Sequence, residues 1–312
     1  MRESTVEPGP PNNLDPVAQA DFAMRNWAAP ELDAIKIGTD EHKQLFCRML
    51  LETHNPYKPA VIEWPKLMPD ELHRLTSLPI WDIAVQTEGR AAIRVKTFAA
   101  TVSDPLLRQA LEMDGGEEAR HKVVLSKLVE AYGIKLVPEP SYDPPKNPEW
   151  AWLRTGYSEC IDSFFAFGLF EVARRSGFFP PDLVDTFEPV MQEEGRHILF
   201  FVNWLAWYRR QLPLWQRPWF FCKVVAVWIV LILERIGIAK GLEKDGGVKD
   251  PNFTVTGTSA VGIELQPREL IKLCLSENDR RMAGYDQRLL RPNTVPALAR
   301  FACRFLSEKA VT

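Results

Sequence analysis

Two short segments of the chain repeat one pattern of acidic, basic and imidazole side chains. Residues 117–121 read Glu-Glu-Ala-Arg-His, and residues 193–197 read Glu-Glu-Gly-Arg-His. Residues three apart lie on one face of a helix, so the second glutamate and the histidine of each segment can bind one ion together. Carboxylate and imidazole donors suit iron or manganese, whereas structural zinc sites favour clustered thiolates. The candidate ligand pairs are therefore Glu118 with His121 and Glu194 with His197.

A lone glutamate on the helix before the first motif fits the same site. Glu88 is the only glutamate of that helix, and its turn neighbours are small or apolar, with no basic partner. The midpoint between Glu88 and Glu118 falls in the turn Ser103-Asp104-Pro105. In an antiparallel hairpin the two carboxylates would then lie at the same height.

The helix before the second motif offers two candidates, Glu159 and Glu171. Glu171 has Arg174 and Arg175 three and four places on, a spacing typical of an ion pair on a helix surface. Glu159 has no such cation, and its helical face continues through residues that look inward-facing. The midpoint test favours Glu159 only slightly, so Glu159 is preferred and Glu171 remains the alternative.

The remaining polar residues of the two motifs are expected behind the site. Glu117 and Glu193 lie about 100° around the helix from their neighbours, so neither is expected to bind an ion directly. Arg120 and Arg196 also point elsewhere and can pair with carboxylates. Asp162 is the candidate acceptor for a ligand histidine, because ligand imidazoles usually donate their other N–H.

A single Glu-x-x-His on a helix is usually a surface ion pair. The duplication, the two matched hairpins and the lone Glu88 together favour a dinuclear metal site instead. The other three histidines, His42, His54 and His73, are expected to be surface or packing residues.

Helical signals dominate the chain, and the predicted fold class is all-α. Four long helices are expected over about 80–102, 105–132, 149–176 and 182–210, with Pro189 kinking or splitting the last. The segment between Pro138 and Pro148 is an irregular crossover between the two helix pairs. The predicted units are a disordered leader (1–17), an N-terminal helical extension (18–79), the four-helix bundle (80–212) and a C-terminal helical extension packed on it (213–312).

Residues 219–233 are apolar except for Lys223. This run is shorter than the roughly 18–20 residues that cross a bilayer, so a buried helix is the preferred interpretation. A helix lying on a membrane surface is the main alternative.

Composition excludes other classes. The formal net charge of −3 gives no basic surface for nucleic acid. The five cysteines are scattered without a CxxC pair, as expected for reduced thiols in a cytoplasmic protein.

These residues resemble the ferritin-like di-iron carboxylate superfamily, over about residues 80 to 210. The resemblance rests on Glu88, on Glu118 with His121, on Glu159, and on Glu194 with His197. It does not identify a branch, and Gly195 inside the second motif is a departure that loosens the helix locally.

The resemblance implies two iron ions, or a manganese–iron pair, bridged by Glu118 and Glu194. His121 and His197 would each bind one ion, and Glu88 and Glu159 would be terminal ligands. It also implies activation of dioxygen with electrons from a separate reductase.

We therefore expect an oxygenase or oxidase acting on a small, lipophilic organic substrate, because about 180 residues lie outside the four helices. The alternatives are a ferroxidase or iron-handling protein and a non-catalytic protein stapled by metal. A peripheral membrane contact through 219–233 and a homodimer are the other partner expectations.

Overall fold

The computed structural model describes residues 15–32, 35–244 and 266–306, and within these ranges every regular element is helical. Apart from a short 3-10 helix at Pro59–Val61, they are α1 (Pro16–Arg25), α2 (Asp40–Glu52), α3 (Pro69–Thr76), α4 (Trp81–Ala99), α5 (Pro105–Ala131), α6 (Pro148–Ser176), α7 (Pro181–Asp185), α8 (Glu188–Gln211), α9 (Arg217–Lys244), α10 (Pro267–Met282) and α11 (Thr294–Ala302). The all-α prediction is confirmed for these residues. The predicted leader falls largely on 1–14, outside the described residues, but α1 already begins at Pro16.

Helices α4 and α5 form the first hairpin, with the boundaries that capping residues predict. Asp104 precedes Pro105, the first residue of α5, and its carboxylate accepts a hydrogen bond from the Leu107 backbone N–H at 2.9 Å. Lys43 of α2 forms an ion pair with the same carboxylate. Beyond the end of α5, Gly133 adopts a φ of +64°, in the left-handed region that glycine favours.

Helices α6 and α8 form the second pair. Asn147 caps α6 by accepting a hydrogen bond from the Trp150 backbone N–H, and Gly177 ends the helix with a φ of +64°. The predicted interruption at Pro189 is present: α7 ends at Asp185, and Pro189 lies in the first turn of α8. A proline in a first turn sacrifices no helical hydrogen bond, so it starts a new helix here.

Two apolar cores lie at opposite ends of these four helices. The larger one contains the aromatic side chains Phe98, Trp152, Phe201 and Trp204, which contact one another edge-on or stacked. The smaller one gathers around Leu75, Trp81, Leu128 and Leu183. The acidic and imidazole residues of the motifs lie between the two cores.

Two further helices cover the four long ones. Helix α2 packs against both α5 and α8, and α10 packs along α6. The close approach of α10 depends on Gly168: a Cβ there would lie 3.0 Å from the Cα and 3.1 Å from the backbone nitrogen of Cys274.

Helix α9 departs from the expectation of a buried helix. Over residues 218–237 its inner side packs into the larger core through Phe220, Val227 and Leu231, whereas the exposed side chains of its outer side are uncharged and mostly apolar. Within the described part of the chain, no helix is long and apolar enough to cross a membrane. The loop expected at about 244–266 lies almost wholly outside the described residues.

Candidate metal centre

The four long helices bring carboxylates and two imidazoles to one buried position between the two cores. Glu88 of α4, Glu118 and His121 of α5, and Glu194 of α8 each place one donor atom within 4.8 Å of the others. The Nδ1 atom of His121 lies 3.3 Å from a Glu194 oxygen and 3.7 Å from a Glu88 oxygen. Glu118 and His121 are buried, whereas the side chains of Glu88 and Glu194 are 20 % and 12 % exposed.

A second group of donors adjoins the first and shares Glu118 with it. Asp114, Glu118 and His197 also have donor atoms within 4.8 Å of one another. The Nδ1 atom of His197 lies 2.9 Å from a Glu118 oxygen, and the two histidine rings are 5.6 Å apart. The structure therefore has two neighbouring donor groups connected by one carboxylate.

The first glutamate of each motif binds the histidine of the other motif. Glu193 of α8 accepts from Nε2 of His121 at 2.9 Å, and Glu117 of α5 accepts from Nε2 of His197 at 2.8 Å. A carboxylate can only accept, so each Nε2 carries the proton, and in a neutral ring Nδ1 keeps its lone pair. Both lone pairs then face the cluster of carboxylates.

The arginines of the motifs neutralise these two outer carboxylates, again across the helices. The buried guanidinium of Arg196 donates from Nη1 to both oxygens of Glu117 at 2.9 Å. Arg120 binds Glu193 and lies over the ring of Tyr57, 4.3 Å from its centroid. Every polar side chain of the repeated motif thus has a partner or faces the site.

Several buried polar atoms in the cluster lack any hydrogen-bond partner. They are Glu118 Oε1, His121 Nδ1, His197 Nδ1, and both carboxylate oxygens of Glu159 and of Asp114. Orphaned buried acceptors that converge on one position are costly unless a cation lies between them. Metal bonds of about 2.0–2.2 Å at right angles would set neighbouring donors about 3 Å apart, close to the 2.9 and 3.3 Å found here. The residues present fit two metal ions.

Asp114 is a member of the cluster that the sequence analysis missed. It lies one helical turn before Glu118 on α5 and is fully buried. Burial, ahead of the charges of neighbouring groups, raises the pKa of Asp114 to about 6. Its spacing of four from Glu118 was the available signal, but α8 has Val190 at the matching position, so the repeat did not reveal it.

Protons occupy the cluster when no metal is bound. Burial raises the pKa of Glu118 to about 8, and burial with the charges of Glu118 and Asp114 raises that of Glu159 well above its usual range. For His121 and His197 burial opposes protonation, but the surrounding carboxylates outweigh it and hold both pKa values well above the ordinary value. Metal binding must therefore displace protons.

A third acidic group behind the histidines is unsuited to a metal. Glu117 and Glu193 come together there with His54, whose Nδ1 lies 2.6 Å from a Glu117 oxygen. Two guanidinium groups already neutralise these carboxylates. His54 was expected to be a surface or packing residue, and it connects Glu117 to the segment that follows α2.

The two candidates on α6 are placed differently. Glu159 lines the same cavity as Glu88, Glu118 and Glu194, with both oxygens unpartnered. Glu171 pairs with Arg175 at 2.6 Å, as its neighbours indicated. The prediction for Asp162 is wrong: it binds Arg235 at 2.8 Å, and Glu117 and Glu193 are the histidine acceptors instead.

A cavity of about 340 Å³ adjoins the cluster and differs in character at its two ends. Trp81 lies about 10 Å before Glu88 along α4, and Arg94 lies about 9 Å after it. The Trp81 end is apolar, and its lining includes Leu75, Leu78, Ile80, Leu125, Leu128 and Leu183. The Arg94 end is polar, and its lining includes Arg90, Arg154, Asp162, Glu234 and Arg235. The candidate ligands thus face a largely apolar space with one charged end.

Comparisons of the chain with protein-family models, with curated proteins and with solved structures found no significant match.

Proposed function

We propose that this chain is a non-haem di-iron oxidase or oxygenase of the ferritin-like class, which uses dioxygen to oxidise a small lipophilic substrate. The observation that carries the proposal is the crosswise fixing of the two histidines. Each Nε2 is held by a carboxylate of the other motif, so each Nδ1 is held towards unpartnered carboxylates.

The donor set divides naturally between two ions. Glu88, His121 and Glu194 would hold one, and Asp114 and His197 the other, with Glu118 between them. Glu159, which lines the same cavity with both oxygens unpartnered, would complete the second set. Oxygen and imidazole donors without thiolate suit an iron pair or a manganese–iron pair. Such a pair, when bound and reduced by an external electron donor, supplies the redox chemistry with dioxygen.

The protein's own contribution is orientation and exclusion of water. Glu117 and Glu193 fix the ring orientation of the histidines, and Ser163 donates to Glu194 at 2.8 Å. The apolar walls keep bulk water from the cluster. A lipophilic substrate suits the apolar end of the cavity. This cavity favours an organic substrate over simple iron oxidation or storage.

The test is metal analysis combined with oxygen uptake by the full chain after anaerobic loading with ferrous iron. We expect two iron ions per chain and rapid oxygen uptake that ends when the bound iron is oxidised. Glu159→Gln should lower both quantities. Glu171→Gln is the matched control, because it changes the same residue type on the same helix outside the cluster, and it should leave both unchanged.

Other outcomes would contradict the proposal. A Glu118→Ala variant with full metal content would refute the ligand set. Continued oxygen uptake, with ferric iron accumulating far beyond two ions per chain, would indicate iron handling. Tight metal binding without any oxygen uptake would indicate a metal with a purely structural role.

A further inference from the structure

The outward face of α9 is a continuous apolar surface. Along 218–237, none of the exposed side chains is charged. The exposed large apolar residues of this stretch are Trp219, Phe221, Val225, Ile229, Ile232, Leu233 and Ile236. From Phe221 onwards, positions 221, 225, 229, 232 and 236 recur at intervals of three or four, and with Trp219 and Leu233 they form a stripe about 27 Å long. Leu214 and Trp215, just before the helix, extend it.

A helix on a protein surface normally presents polar residues to water. Here the exposed fraction is 75 % for Trp219 and 61 % for Leu233, against 0 % for the inward-facing Val227. Both sides of this stretch are apolar, although only one side packs against the core that the described residues form. Contiguous exposed apolar surface of this extent marks a place where another molecule binds.

The charges around the stripe indicate which kind of molecule. From Gly195 to Leu233 the sequence contains no Asp or Glu, whereas Arg209 and Arg210 are exposed close to the start of α9. Two copies meeting symmetrically through this face would find no acidic side chain from this stretch to complement those cations. The phosphates of an anionic bilayer would complement them.

The aromatic residues agree with the charges. Trp215 and Trp219 lie at the same end of the stripe as the two arginines, and both are largely exposed. Tryptophan side chains concentrate where hydrocarbon meets lipid headgroups. An apolar stripe with tryptophan and arginine at one end is typical of a helix that lies in the plane of a membrane surface.

We propose that the outer face of α9 docks the protein on an anionic lipid bilayer. The helix lies in the interface with Phe221, Val225, Ile229 and Leu233 among the acyl chains. Docking requires only the residues already exposed, so the rest of the chain keeps its fold.

The docking site has a consequence for the cavity, and this part rests on the proposed function. Glu234 and Arg235 line the polar end of the cavity, and they stand in the sequence between the lipid-facing Leu233 and Ile236. A lipophilic substrate that leaves the bilayer beside α9 would therefore meet the charged end of the cavity first, where Glu234 pairs with Arg154 and Arg235 with Asp162, before it reaches the apolar end.

The test is flotation of the full chain with vesicles of phosphatidylcholine alone and of phosphatidylcholine with phosphatidylglycerol. We expect the protein to float with both and to bind the anionic vesicles more strongly. Ile229→Asp combined with Leu233→Asp should weaken binding more than tenfold, because two large apolar side chains no longer enter the lipid. Val61→Asp is the matched control, because Val61 is exposed on a 3-10 helix that packs against α5, and it should bind as the wild type does.

A second measurement uses the chain without a new charge. Phosphatidylcholine with brominated acyl chains should quench the tryptophan fluorescence of the wild type more than that of Trp219→Phe. Equal quenching, or flotation of the double variant at the wild-type level, would overturn the proposal. A third outcome would also overturn it: the wild type is a dimer, the double aspartate variant is a monomer, and neither protein binds vesicles. A second copy of the chain would then cover this face. None of these readouts depends on metal, so loss of the oxidase proposal leaves them unaffected.

Discussion

Glu117 has two roles: it orients the ring of His197 and it neutralises the buried Arg196. Replacement of Glu117 by glutamine tests both. Glu117 accepts hydrogen bonds from His197 and His54, and both of its oxygens accept from Arg196. Glu117, His197 and Arg196 are buried. Burial alone would raise the pKa of Glu117, but Arg196 and the histidines hold it well below its usual range. The carboxylate is therefore ionised and is the counter-charge of a guanidinium that water does not reach.

The expected loss of stability in Glu117→Gln depends on which hydrogen-bond acceptors remain around Arg196. Thr53 and the Leu50 carbonyl still accept hydrogen bonds from it, but both are neutral. A buried charge that loses its partner costs about 3–5 kcal/mol. The glutamine amide can still accept one hydrogen bond from Arg196, so we expect the unfolding free energy to fall by about 3 kcal/mol, the lower end of this range. Metal affinity should fall about 10- to 100-fold, because the ring of His197 is no longer held by a carboxylate.

Glu193→Gln is the matched comparison, because Glu193 plays the corresponding part for His121. Its arginine, Arg120, is 14 % exposed and keeps its contact with Tyr57. We therefore expect a similar loss of metal affinity but a loss of unfolding free energy of only about 1–2 kcal/mol.

The assays are urea denaturation of the metal-free proteins and competition for iron with a chelator of known affinity. Equal destabilisation by the two substitutions would refute the argument from burial of the guanidinium. Wild-type iron affinity in either variant would refute the argument that these carboxylates orient the histidines.

Three further predictions concern other parts of the structure. Asp114→Asn should lower iron content towards one ion per chain by metal analysis, and unchanged content with unchanged affinity would exclude Asp114 as a ligand. Gly168→Ala should cost about 1–3 kcal/mol in urea denaturation through its contact with the backbone of α10, whereas Gly116→Ala, with nothing within 4 Å, should stabilise α5 by about 0.5–1 kcal/mol. Burial alone would raise the pKa of Asp104, but the hydrogen bonds from Lys43 and from the α5 backbone outweigh it and lower this pKa. The ionised carboxylate therefore stabilises the fold fully above the unfolded pKa near 4. This stabilisation is lost as the pH falls through the lower folded pKa. Asp104→Asn keeps the helix cap, so its stability deficit at neutral pH should shrink in denaturation curves measured at successively lower pH below the unfolded value.

The helix boundaries could be predicted because local residues determine them. Asp104, Gly133, Gly177 and Pro189 act through the backbone within one or two turns, so the sequence around them contains the relevant physics. The predicted pairing of Glu118 with His121 and of Glu194 with His197 is not the one found in the closest contacts, because Nδ1 of His197 lies 2.9 Å from Glu118 and Nδ1 of His121 lies 3.3 Å from Glu194.

Contacts between distant helices could not be predicted in this way. The position of Glu88 beside Glu118 could be inferred because a short turn connects their two helices. The hydrogen bond from His54 to Glu117 depends instead on how α2 packs against α5 and α8. Asp162 was a candidate acceptor because ligand histidines usually donate their other N–H, yet Arg235 of α9 binds it. The exposure of α9 was missed because composition does not show how many sides of a helix find a neighbour.

The crosswise bonds between the motifs also constrain the order of assembly. Each imidazole is oriented by a carboxylate more than seventy residues away, so neither hairpin can prepare half of the centre by itself. During synthesis the first hairpin emerges with its histidine unsupported until α8 has been made and docked. Under the proposed function, metal should therefore be acquired only after α8, which ends at Gln211, has been made and docked, and fragments ending before α8 should bind it poorly.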